Sequence, residues 1–140
     1  MVILIDTNII LDYLISRKSF SDTAETMLRL CFQQKYTGYI SAHSITNIFY
    51  ILRKQFPVAE RKKMLIELCE FVEVAGIQKK QIIDALFNKD FVDIEDCLQA
   101  ECAKMINADY IVTRNIADFS ASSIPVISPE DLLQKITAHE

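Results

Sequence analysis

The chain has 140 residues, near the commonest size of a single domain, and 51% of them are hydrophobic, enough to bury a sizeable core. A formal net charge of −4 and a pI near 5.2, taken alone, disfavour a nucleic-acid binder held mainly by a broad basic surface. They do not exclude a nuclease, whose metal-binding carboxylates add negative charge that bound cations offset.

No apolar run reaches the ~18 residues of a membrane span, and the apolar start lacks a basic leader, so a cytoplasmic location away from membranes is expected. Cys31, Cys69, Cys97 and Cys102 form no Cys-x-x-Cys pair, and His43 and His139 lie outside zinc-ligand spacing. The thiols read as small hydrophobes in a reducing compartment. With only 2 Gly and 3 Pro, long regular elements and short loops are expected. The basic runs Arg17-Lys18, Arg53-Lys54, Arg61-Lys62-Lys63 and Lys79-Lys80 read as solvated helix faces or loops.

In chain order, Val2 to Ile5 is a continuous apolar run with β-branched residues, as in a strand buried on both faces. Asp6-Thr7-Asn8 supplies capping residues for a helix carrying Ile9, Ile10, Tyr13 and Leu14. Ser21 to Phe32 is a second helix, with Ala24, Met27, Leu28 and Cys31 on one stripe. Gly38 to Ser41 suits a second strand. His43 to Gln55 reads as a helix with Ile48, Phe49, Ile51 and Leu52 inward.

Pro57 breaks that helix and can start the next, Val58 to Cys69. Phe71 to Val74 is a third strand, closed by Gly76. Ile77 to Leu86 and Ile94 to Ile106 are helices, the second with Leu98, Cys102 and Met105 on one face. Tyr110 to Thr113 and Ile124 to Ile127 are the last strands, and Ser128-Pro129-Glu130 opens a helix through Ile136. Alternating strands and helices predict one α/β domain over residues 1–140, with a mainly parallel sheet of about five strands and right-handed crossovers. Ligands of such sheets bind beyond the carboxyl ends of the strands.

Three acidic stretches fall there. Asp6 follows the first strand, where it can also serve as a helix cap. Asp90, Asp93, Glu95 and Asp96 crowd a helix start; a cap explains Asp93, and the helix dipole favours Glu95 and Asp96. A cap does not require all four, and a divalent cation relieves their repulsion. Thr113, Asn115 and Asp118 follow the fourth strand, where a turn built on Asn115 and Asp118 is the ordinary alternative. Together they offer hard oxygen ligands suited to Mg²⁺ or Mn²⁺, ions that activate water for phosphodiester cleavage.

Ile3-Leu4-Ile5-Asp6-Thr7-Asn8-Ile9-Ile10-Leu11-Asp12 resembles the opening motif of PIN domains. Asp93-Ile94-Glu95-Asp96-Cys97-Leu98-Gln99-Ala100, Ala108 to Asn115 and Ile124 to Glu130 resemble later family motifs in the right order, covering essentially the whole chain. The size is typical of VapC-type toxins of toxin–antitoxin pairs. The resemblance implies a PIN-like α/β/α sandwich and Mg²⁺- or Mn²⁺-dependent cleavage of RNA, usually by a homodimer, with a cognate antitoxin as partner.

By position, Asp6 matches the first family carboxylate and Asp96 the third. Asp118 resembles the later acidic motif, where the family more often has Asp at the place of Asn115. Catalysis and metal ligation are thus expected at Asp6, Asp96 and Asp118, with Glu95 and Asp93 as further candidate ligands. Asn8, Asn47, Thr113 and Asn115 would give polar support. Asn47 stands where the family usually has glutamate, which would weaken metal binding. Two alternatives remain: a catalytically weak PIN-fold protein acting by RNA or partner binding, and a haloacid-dehalogenase-type phosphatase. The second lacks the Asp its nucleophile motif needs at residue 8, which is Asn.

Overall fold

The computed structural model describes residues 1–139. Five strands, β1 (Val2–Ile5), β2 (Thr37–Ser41), β3 (Glu73–Ala75), β4 (Tyr110–Val112) and β5 (Val126–Ile127), pair in the order β3-β2-β1-β4-β5, every pair parallel. The helices are α1 (Thr7–Leu14), α2 (Ser21–Phe32), α3 (Ala42–Ile51), α4 (Val58–Leu68), α5 (Lys79–Phe87), α6 (Ile94–Met105) and α7 (Pro129–His139).

Side chains alternate across a strand, so β1 feeds two cores. Ile3 and Ile5 join residues of α1, α2, α3, α4 and α7, including Ile9, Met27, Ile48, Leu65 and Leu132. Leu4 faces the other way, onto Ala100, Cys102 and Ala103 of α6, with Ile111 and Phe119. The result is a three-layer α/β/α sandwich.

Several elements differ from the sequence expectation. The helix expected through Gln55 ends at Ile51 and tightens into a 3-10 turn over Leu52–Lys54. Its last carbonyls are met by arginines: Arg53 Nη1 donates to Tyr50 O at 2.8 Å, and Arg61 Nη1 to Phe49 O at 3.0 Å. Two of the basic runs thus contribute a helix terminus.

On α6, Met105 is exposed rather than inward. The buried arc includes Ala100 and Ala103, whose small side chains let the helix approach the sheet, and Met105 falls outside it. Asn107, at φ 52°, then turns the chain toward β4 in the left-handed conformation asparagine tolerates. The two edge strands are shorter than or shifted from the expected segments: β3 runs over Glu73–Ala75 and β5 over only Val126–Ile127. The fifth helix starts later, at Lys79, where Gln78 and Gln81 form a capping box.

Candidate active site

The connection order reverses between β1 and β4: β2 and β3 extend the sheet on one side of β1, β4 and β5 on the other. A crevice beyond the carboxyl ends of β1 and β4 is where such sheets bind ligands. Asp6 and Thr113 are the first residues past those ends, and the Asp6 N–H donates to Val112 O at 3.0 Å.

Asp6 occupies the N-cap position of α1, yet its side chain makes no cap hydrogen bond. It is 2% exposed, and its oxygens turn elsewhere. Thr113 Oγ1 donates to Asp6 Oδ2 at 2.8 Å, and Gln99 Nε2 donates to Oδ1 at 3.1 Å. Burial raises the Asp6 carboxyl above its ordinary range, against the opposing effect of the Thr113 and Gln99 bonds.

Asp93 caps α6: its Oδ1 accepts from Glu95 N at 2.7 Å and Asp96 N at 3.1 Å. Asp96, one residue into that turn from Glu95, is half-buried, and its carboxyl is pushed from an ordinary 3.8 to about 7. Burial is the largest cause, followed by the charges of Asp93, Asp6, Asp118 and Glu95. The charges of Asp6, after β1, and Asp118, after β4, thus bear on Asp96 at the start of α6. Asp118 is exposed on a 3-10 turn, Ile116–Phe119, anchored by buried Phe119 against Phe91 with ring centroids 6.4 Å apart.

The polar candidates are placed differently. Asn115 donates its N–H to Thr113 Oγ1 at 3.0 Å, which aims the Thr113 hydroxyl hydrogen at Asp6. Asn47 Nδ2 donates to Glu95 Oε2 at 2.9 Å, so residue 47 meets the acidic turn as a donor. Asn8 Oδ1 lies 3.5 Å from Arg17 Nη1, at the outer limit of a hydrogen bond. Among the described residues, no three His, Cys, Asp or Glu side chains are grouped closely enough to hold an ion by themselves.

Two residues of the site went unread in the sequence. Gln99, 2% exposed, is the buried polar residue on the inward face of α6. Asp12, 1% exposed in α1, accepts two bonds from Arg114, Nε to Oδ2 at 2.7 Å and Nη2 to Oδ1 at 3.0 Å, and one from Arg17 at 3.3 Å. Arg114 also stacks on the Phe20 ring, 3.8 Å from its centroid. A signal for both existed: a polar residue interrupting the apolar stripe of a helix.

A parallel sheet of this order, with helices on both faces and carboxylates around the crevice at its reversal point, defines a doubly wound α/β protein. A PIN domain profile matches residues 2–117, and the chain belongs to the PIN-domain family. Its fold is that of VapC structures. VapBC2 from Rickettsia felis, bound to a DNA fragment from its promoter, superposes with a TM-score of 0.69 at 18% identity, over 91% of this chain and 98% of that one. VapBC-1 from nontypeable Haemophilus influenzae gives 0.67 at 17%, over 93% and 99%. VapC20 from Mycobacterium tuberculosis, a Sarcin-Ricin loop cleaving toxin, gives 0.66 at 16%, over 87% and 95%. A search among curated proteins found no sequence match. Among the described residues, no helix is long and apolar enough to cross a membrane.

Proposed function

We propose that this PIN domain is a Mg²⁺- or Mn²⁺-dependent endoribonuclease, the toxin of a toxin–antitoxin pair. One observation carries the reading: Asp96, at the start of α6, lies within reach of the charges of Asp6 after β1 and Asp118 after β4, with Asp93 and Glu95 beside it. Asp6, Asp96 and Asp118 would hold the cation, with Glu95 or Asp93 able to join; no three of these side chains stand close enough to cage it by themselves, so waters and phosphate oxygens would complete its shell. When bound, the ion supplies an activated water and charge stabilisation for the leaving oxygen. Each Asp6 oxygen already accepts one hydrogen bond and keeps a further lone pair for ligation.

The solved relatives that are VapBC complexes support a protein antitoxin as partner. A homodimer fits the uncovered apolar surface on α5 and beyond it, where Leu86, Phe87, Val92 and Ile94 are exposed; Phe87 is 78% exposed. The second reading, a PIN-fold protein with weak catalysis acting by RNA or partner binding, is favoured by Asn47, an uncharged amide bonded to Glu95. Incubating the protein with a short RNA, with Mg²⁺ or Mn²⁺ and with chelator, separates the two. Cleavage lost in chelator supports the nuclease; cleavage that survives chelation removes the metal mechanism, and none under any condition favours the binding protein.

A further inference from the structure

Gln99 lies on α6, one turn beyond Asp96, and is 2% exposed. A buried carboxamide is costly unless its polar atoms are met. Here Oε1 accepts from the Thr7 N–H at 3.3 Å, and Nε2 donates to Asp6 Oδ1 at 3.1 Å. These partners settle which way the amide faces. A peptide N–H can only donate, so the amide oxygen must meet it, and the nitrogen is left for the carboxylate.

The second Asp6 oxygen is held by Thr113, whose own oxygen accepts from the Asn115 N–H. Asp6 is thus gripped from α6 on one side and from the segment after β4 on the other. Thr7 extends the network by donating from Oγ1 to Ser44 Oγ at 2.7 Å, and Ser44 lies 2.7 Å from Ser41 Oγ, reaching β2 and α3. Packing alone does not ask for an amide at position 99. Its buried neighbours on α6, Cys97, Ala100, Cys102 and Ala103, are all apolar.

We propose that Gln99 is a positioning residue, which fixes the aim of the Asp6 carboxylate and its placement relative to Asp96. One rigid helix carries both Asp96 and the amide that holds Asp6, so the two carboxylates are registered by a single element. The functional meaning of that registration rests on the nuclease reading above; the grip on Asp6 does not.

Gln99→Met keeps the side-chain volume and removes the donor, and Gln99→Leu serves should the first variant fail to fold. Crystal structures of the metal-free variants would show whether Asp6 moves, and calorimetry with Mn²⁺ would give its affinity, with melting temperatures as the check on folding. In the variants the Asp6 carboxylate turns from its present position, and Mn²⁺ affinity falls about 10–100-fold, the range for groups that orient a ligand. A purely structural glutamine would lower the melting temperature and leave both readings alone. An Asp6 carboxylate left in place, or a Mn²⁺ affinity unchanged although it has moved, overturns the proposal. A wild-type protein that binds no Mn²⁺ defeats the metal reading instead, and the Asp6 position in the variants still decides the role of Gln99.

Discussion

Asp96 makes the metal-free protein less stable as its carboxyl ionises. Its pKa is about 7 in the folded chain against an ordinary 3.8, because burial and four neighbouring carboxylates oppose the charged form. Between those values the native state keeps a proton that the unfolded state has lost. Stability therefore declines as pH rises from about 4 to about 7, and the penalty persists above that. Burial acts on Asp6 in the same direction. In chelator, Asp96→Asn should remove most of this slope and melt above the wild type at pH 8, with the difference vanishing near pH 4. Parallel melting curves across that range would contradict the crowding. Asn47 offers a second test, because it now donates a hydrogen bond to Glu95. Asn47→Glu loses that bond and adds a like charge, so the metal-free protein should melt lower while Mn²⁺ binds more tightly in calorimetry. Unchanged affinity would place residue 47 outside the site.

At the scale of elements, the Asp12 clamp ties α1 to the segment after β4, because Arg114 stands between Thr113 and Asn115. Removing one partner of a fully buried ion pair costs about 3–5 kcal/mol. Here both arginines are partly solvated, at 33% and 23% exposed, so Asp12→Ala should cost on the order of 2 kcal/mol in denaturant unfolding. If the clamp is real, a cycle with Arg114→Ala will show strong non-additivity; additive losses would mean the pair is incidental. The same element shows what sequence reading reaches. β1 and α2 were legible because apolar runs and helical stripes are local signals, and the stripe of α2 is the buried set itself; α6 was legible as a helix, but of its expected stripe only Cys102 is fully buried. Asp6 and the acidic turn were legible because they follow local boundaries. Gln99 and Asp12 showed only as polar breaks in apolar stripes: their partners Asp6 and Arg114 lie 93 and 102 residues away in sequence, and only the fold brings them together. The short edge strands also gave weak signals, since each pairs on one side and Val74 of β3 is exposed.

For the whole molecule, the exposed apolar side chains of α5 and the approach to α6 predict association. Light scattering should find a dimer at micromolar concentration, and a monomer at high concentration would count against it. In the proposed function, the carboxylates of the reversal crevice act together to cleave RNA. The most direct measurement compares wild-type and Asp96→Asn protein cleaving one short RNA at saturating Mn²⁺, with melting curves recorded on both. A ligand should matter more than a group that merely supports one, so the rate should fall by more than about 100-fold while the variant stays folded. A folded Asp96→Asn protein that cleaves within a few-fold of the wild-type rate would contradict the site.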